Sequence, residues 1–254
     1  MIERVNVLGV GVSAINMGMA LATIEGWISD RTPNYVCITG VHGVMESQYD
    51  AGLRDIHNRA GLVTPDGMPL VWLSRLAGRR HVSRVYGPDL MLTLSALSEQ
   101  HGYRHFYYGG GKGVADLLAD RMRLRFPRLQ VAGSYSPPFR PLTEVEEKEI
   151  VERIDGARAD IVWIGLSTPK QERWMERFHG RLKAPVMIGV GAAFDFHSGL
   201  KMQAPLWMQQ NGLEWAFRMA TEPRRLAGRY LRNNPRFILK IAEQMLGWRD
   251  YPLK

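Results

Sequence analysis

Short apolar runs rich in β-branched and aromatic residues recur along the chain, at Val5 to Val10, Tyr35 to Thr39, His105 to Tyr108, Gln130 to Gly133, Ile161 to Gly165 and Val186 to Gly189. Helix-length segments separate most of them. Strands spaced in this way pair in parallel, because a crossover helix returns the chain to the same end of the sheet. Asp116 to Phe126 and Glu144 to Ile154 place apolar residues three and four apart, as half-buried helices do. The pattern predicts an α/β fold with a Rossmann-like, mainly parallel sheet core.

Beyond Pro205 no strand-like run appears, and the text reads as helices punctuated by Pro223 and Pro235. The boundary is placed near residue 200, giving an α/β core over 1–204 and a helical, basic C-terminal appendage over 205–254. Within the appendage, Phe237, Ile238, Ile241, Met245 and Trp248 are expected on one helical face and Lys240, Glu243 and Gln244 on the other.

The formal net charge is +8, and its placement matters more than its size. Arg218, Arg224, Arg225, Arg229, Arg232, Arg236, Lys240, Arg249 and Lys254 stand against Glu222, Glu243 and Asp250 alone. A basic amphipathic tail suits anionic lipid or phosphorylated ligands. No base-stacking or groove-reading element accompanies it, so nucleic acid is not an expected partner. The single Cys37 forms no internal disulfide and no secretory signal opens the sequence, which points to the cytoplasm. The longest apolar stretch, Pro185 to Phe194, is broken by glycine and far short of the roughly 20 residues of a membrane-spanning helix.

Several short motifs carry candidate chemistry. Leu8-Gly9-Val10-Gly11 invites a dinucleotide reading, but the second strand ends in Thr39 where an acidic residue would hold a ribose, so a plain tight turn is favoured. Gly109-Gly110-Gly111-Lys112-Gly113 leads into a helix near Val114; it is either a strand-to-helix turn or a loop whose amides meet a phosphate. Asp66, between Pro65 and Gly67, is a turn or capping residue or else a positioned general base. Lys170 and Gln171 follow a strand end, where open α/β sheets bind ligands. Asp195 is placed similarly and equally suits a structural role. The seven histidines are scattered, with no metal-ligand spacing and no metal site expected.

Taken together these segments resemble the WecG/TagA/CpsF glycosyltransferase family of bacterial surface-polysaccharide synthesis. The resemblance runs from about Val5 to Tyr230. Its residues are Thr64-Pro-Asp66-Gly67, Arg84-x-x-Gly87-Pro-Asp89-Leu90, Tyr108-Gly-Gly110, Pro169-Lys-Gln171-Glu172, Gly189-x-Gly191-x-x-Phe194-Asp195, Ala204-Pro205-x-Trp207 and Leu213-Glu214-Trp215-x-x-Arg218 through to Arg229-Tyr230. The resemblance implies a metal-independent, inverting transfer of a sugar, of N-acetylmannosamine or glucose type, from a UDP-sugar to a sugar on polyprenyl diphosphate. It implies Asp66 as catalytic base, with Thr39, Arg84 and Gln171 lining the same pocket and no cofactor.

One position departs from the family pattern. Where Thr-x-Asn is common, this chain reads Thr39-Gly40-Val41-His42, and the apolar Val41 cannot replace an amide; His42 is expected to take over part of that role. Members of the family carry a C-terminal appendage that packs on the membrane and helps close the active site. Arg218, Arg225 and Arg229 are therefore expected to meet the diphosphate, with Gly109, Gly110 and Asp195 also near substrate. The resemblance places the protein peripherally on the inner face of the cell membrane, and a homo-oligomer is expected from the resemblance alone. The competing readings are a nicotinamide-dependent oxidoreductase resting on the glycines, and a membrane-surface scaffold in which Asp66 is irrelevant.

Overall fold

The computed structural model describes residues 2–253, so the tail's Lys254 lies outside the described residues. The chain opens with an antiparallel hairpin of β1 (Arg4–Val7) and β2 (Val10–Ser13). Leu8 and Gly9 between them take φ of 53° and 81°, the left-handed pair that a two-residue turn needs to match the strand twist. The first apolar run is thus two short strands outside the main sheet, where one strand was expected. Gly9 and Gly11 open no helix, and the tight-turn reading holds over the dinucleotide one.

The elements that follow are α1 (Met17–Asp30), β3 (Asn34–Thr39), α2 (Val41–Glu46), α3 (Ala51–Arg59), β4 (Leu62–Pro65), α4 (Met68–Leu76) and α5 (Gly87–His101). Then come β5 (Arg104–Gly109), α6 (Val114–Arg125), β6 (Gln130–Tyr135), α7 (Glu144–Gly156), β7 (Ile161–Gly165), α8 (Lys170–Phe178) and β8 (Val186–Gly189). The last four helices are α9 (Ala193–His197), α10 (Leu206–Gln210), α11 (Glu214–Thr221) and α12 (Pro223–Met245). The larger sheet has six strands in the order β4-β3-β8-β7-β5-β6, and the fold is α/β with a Rossmann-like parallel core.

The chain divides into two compact units. The first comprises Met1–Met17, Ile38–Tyr86 and Gln203–Lys254, and the second Gly18–Cys37 and Gly87–Met202. In the second, β3, β8, β7, β5 and β6 pair in parallel, with Asn34 opposite Val186, Ile161 opposite Val186 and His105 opposite Ile161. Their side chains, including Val36, Phe106, Trp163, Ile164 and Ile188, are buried, as sheets covered on both faces require. α7 starts where it does because Thr143 and Glu146 form a reciprocal capping box. Trp174 stacks between Tyr108 and Phe178, with ring centroids 4.5 and 4.3 Å away.

A buried histidine sits in this second core. Trp163 Nε1 donates to His105 Nδ1 at 3.0 Å, so the imidazole carries its proton on Nε2 and donates to Ser98 Oγ at 2.8 Å. Burial lowers its pKa to about 3. The first unit holds a counterpart in His57, whose Nδ1 donates to the Leu53 carbonyl at 3.0 Å while Nε2 is buried without a partner. Burial lowers the pKa of His57 to about 4 against the opposing Leu53 bond.

In the first unit the two ends of the chain meet. Gln244 of α12 accepts from Leu8 N at 2.9 Å and donates to Asn6 O at 3.1 Å, while Asn6 Nδ2 donates to Tyr251 O at 2.7 Å. α12 runs unbroken through Pro235, which was expected to end a helix. The proline removes one backbone hydrogen bond. It lies on the exposed side, while Leu226, Asn233 and Phe237 are buried on the other. The expected faces are accordingly redrawn: Phe237 and Gln244 point inward, and Leu231, Ile238, Leu239, Met245 and Leu246 form an exposed apolar stripe beside the exposed Arg224, Arg232 and Arg236.

Candidate active site

In the first unit the expected site residues converge around Asp66. This residue follows β4 directly, and its N–H donates to the carbonyl of Thr39, the last residue of β3, at 3.1 Å. Its carboxylate faces the backbone of Gly40, where an added Cβ would lie 3.8 Å from Oδ2. Gly67 caps α4, and Pro69 occupies its first turn, where a missing N–H costs nothing. Asp66 is therefore held in a strand-to-helix turn at the carboxyl end of a strand.

Arg84 reaches Asp66 because its own segment is laced to β4. Val85 N donates to Pro65 O at 3.1 Å, and Thr64 Oγ1 donates to Val85 O at 3.3 Å. Arg84 Nε donates to the Asp66 carbonyl, Nη2 donates to Glu214 Oε2 at 2.5 Å, and the guanidinium lies 3.9 Å above the Tyr86 ring. Burial opposes the charged form of Arg84, but the carboxylates of Asp66 and Glu214 outweigh it and raise its pKa. Tyr86 donates its hydroxyl to Glu214 Oε1 at 3.1 Å; burial, then Glu214 and Asp66, raise its pKa so that it stays protonated.

The tail arginines form a second feature of this unit. Arg229 on α12 is half-buried, and its pKa is lowered by burial and by the positive charges of Arg225 and Arg218, against the opposing influence of Tyr230 and Glu46. Three guanidinium groups thus sense one another. Arg225 also pairs with Glu222 at 2.6 Å. Tyr230 is raised by burial first, and it feels Arg218, Arg229, Glu214 and Asp66, which ties the arginines to the Asp66 cluster. His42, at the start of α2, meets Asn233 of α12 at 3.3 Å and Glu46 at 3.5 Å.

The remaining expected residues lie in the second unit. Gly109 has φ of 133°, and a Cβ there would fall 2.7 Å from the Gly165 backbone; at Gly110, with φ of 73°, it would fall 2.7 Å from Val114. Close packing of β5 on β7 therefore accounts for Gly109, and the approach of α6 for Gly110. Gln171 is buried, with Nε2 donating to Glu172 Oε1 at 3.1 Å and Oε1 without a partner. Glu172 is fully buried, and burial raises its pKa despite hydrogen bonds from Thr168 and Gln171. Asp195 pairs with Lys201 at 2.7 Å, and its carbonyl accepts from Leu200 and Lys201 N–H, which ends α9. Among the described residues no group of three or more His, Cys, Asp or Glu is placed to hold a metal ion.

The family model described as the glycosyl transferase WecG/TagA/CpsF family matches residues 5–251. The chain belongs to this family. Relatives include an N-acetylglucosaminyldiphosphoundecaprenol N-acetyl-β-D-mannosaminyltransferase of Bacillus spizizenii, 29% identical over 204 residues that cover 80% of this chain and 75% of the relative. A protein of the same name from Staphylococcus aureus is 24% identical over 242 residues, covering 94% of this chain and 92% of the relative. This WecG/TagA/CpsF member is accordingly a glycosyltransferase. Glu214, Tyr86 and Glu172 lie within segments that carry the resemblance, yet a role for each appears only once their partners are in place.

Proposed function

We propose that this family member is an inverting, metal-independent glycosyltransferase. It moves a sugar of N-acetylmannosamine or glucose type from a UDP-sugar to a sugar borne on polyprenyl diphosphate, at the inner face of the cell membrane. The observation that carries the reading is Asp66 held beside Arg84, with Arg218 and Arg229 acting on the same Tyr230 that feels Asp66. Guanidinium groups gathered in this way suit the bidentate binding of a diphosphate. The names of the relatives supply the acceptor class by similarity.

In this mechanism Asp66 takes the proton of the acceptor hydroxyl as its oxygen attacks the anomeric carbon. The bond from that carbon to the UDP oxygen breaks on the opposite face, so configuration inverts. The charge developing on UDP is met by Arg218, Arg225 and Arg229, fixed before the reaction and therefore effective at the transition state. Thr39 and His42 border the turn that holds Asp66 and are further substrate contacts in this proposal.

The exposed stripe of α12 would rest in the lipid interface, with Arg224, Arg232 and Arg236 toward anionic headgroups, each contributing about 1 kcal/mol near the surface. No helix among the described residues is long and apolar enough to cross a membrane. The test is UDP release from a panel of UDP-sugars, with and without a short-chain lipid diphosphate bearing N-acetylglucosamine, for wild type and Asp66→Asn. Acceptor-dependent release lost in the variant supports the reading. Equal release from both proteins removes Asp66 as the base.

A further inference from the structure

We infer that Glu214 is a positioning residue for the transfer: it fixes the Arg84 guanidinium against the Asp66 turn and offsets its positive charge beside the base. The inference rests on the proposed role of Asp66. It starts from a closed set of contacts within the first unit. Glu214 is the first residue of α11 and uses both carboxylate oxygens, Oε2 accepting from Arg84 Nη2 at 2.5 Å and Oε1 from the Tyr86 hydroxyl at 3.1 Å. Arg84 in turn lies on the Tyr86 ring at 3.9 Å and donates from Nε to the Asp66 carbonyl.

These contacts change what Arg84 can do. A guanidinium that only bound substrate would keep its edges open, whereas here Nε and Nη2 are committed and the plane is stacked, so rotation is blocked. The Arg84 and Glu214 side chains are 16% and 14% exposed, so their attraction is screened less than that of a surface pair.

The charge of Glu214 matters as well as its shape. A guanidinium beside a carboxylate holds protons off it and makes it a weaker base. Arg84 lies between the carboxylates of Asp66 and Glu214, so Glu214 takes up part of the positive charge that would otherwise act on Asp66 alone. The other charged or titratable groups around the cluster are Arg218 on α11, Glu222 after it, Arg225, Arg229 and Tyr230 on α12, Glu46 on α2, and Tyr86. Glu222 pairs with Arg225 and Glu46 acts on Arg229, whereas Glu214 is the carboxylate bonded to Arg84.

The geometry also shows why α11 begins where it does. Gly212, with φ of 71°, packs on α4, since a Cβ there would meet Trp72 at 3.0 Å and Met68 at 3.3 Å. Asp66 and α4 are consecutive in sequence, so the turn that starts α11 is seated on the helix leading out of the Asp66 turn. Glu214 follows two residues later.

The experiment compares wild type, Glu214→Gln, Glu214→Ala and Tyr86→Phe for acceptor-dependent transfer across pH, with thermal melting as a check on folding. Glu214→Gln keeps shape and removes charge, so the acid limb of the kcat profile should move to lower pH by about one unit. Glu214→Ala should lower kcat on the order of 10²-fold with KM for the UDP-sugar little changed, as misplacement of a catalytic group does. A Glu214→Gln enzyme with a wild-type kcat and pH limb overturns the inference, as does a loss confined to KM.

Should Glu214→Gln fail to fold, Tyr86→Phe removes one hydrogen bond from Glu214 and no charge. It should lower kcat about three- to tenfold at unchanged KM, and an unchanged kcat overturns the inference. Absence of transfer by the wild type, or full transfer by Asp66→Asn, defeats the functional reading instead and is recognised without the Glu214 variants.

Discussion

Lowering the pH from 7.5 to 5.0 should destabilise the fold through its two buried histidines. His105 accepts a hydrogen bond from Trp163 Nε1, so a proton on Nδ1 would face another donor; His57 has a buried Nε2 with no acceptor to receive one. Their pKa values fall from 6.5 to about 3 and about 4 respectively. The unfolded chain therefore binds more protons than the folded one below pH 6.5. Stability is fully present above that pH and is lost as pH falls toward the folded values.

Each histidine contributes a slope of about 1.4 kcal/mol per pH unit, so from pH 6.5 to 5.0 each removes about 2 kcal/mol and the pair about 4. That is a large part of the roughly 5–15 kcal/mol that holds a domain together. Glu172 works the other way: burial raises its folded pKa, so its contribution declines as pH rises above 4.5, and it offsets at most one histidine. Urea unfolding at several pH values measures the net slope. Glu172→Gln should steepen it and His105→Gln should flatten it, and a stability independent of pH between 5.0 and 7.5 would refute the reasoning.

Other consequences are open to measurement. Gly109→Ala combines a φ of 133° with a Cβ placed 2.7 Å from the Gly165 backbone, and should cost about 2–4 kcal/mol by denaturant unfolding. Gln244→Ala leaves Leu8 N and Asn6 O without their partner and should cost about 1–3 kcal/mol, with local opening of the hairpin seen by hydrogen exchange. Leu231→Glu with Ile238→Glu should abolish sedimentation with anionic vesicles without lowering the melting temperature, because both side chains are exposed. These substitutions are cleaner than cutting the chain after Leu213, which would remove the buried Leu226, Phe237 and Tyr251 from the first unit. Arg225→Ala and Arg229→Ala should each reduce transfer most at saturating acceptor if the arginines act on the departing UDP.

The parallel strands were legible because buried strands are written as unbroken β-branched and aromatic runs, as in Ile161 to Gly165. β4 was not: Leu62–Pro65 is four residues long and ends in proline, so it reads as the approach to a turn. The hairpin was hidden because its turn uses Leu8 in a left-handed conformation, a residue that gives no turn signal. Helical periodicity located the apolar residues of α12 but could not tell its two faces apart. The inner one is fixed by Gln244, whose partners are 236 and 238 residues away. Asp66 stood out through the family resemblance, since an isolated aspartate in a turn has several commoner uses. Glu214 and Tyr86 acquire meaning only from contacts with Arg84, the first of which spans 130 residues.

The hydrogen bonds of Gln244 to the first hairpin bear on how the first unit opens. One side-chain amide serves Leu8 N and Asn6 O, 236 and 238 residues away, so the hairpin cannot part from α12 without breaking both bonds. Two stretches far apart in sequence therefore loosen as one cooperative piece, and a proteolytic nick in either should release the other.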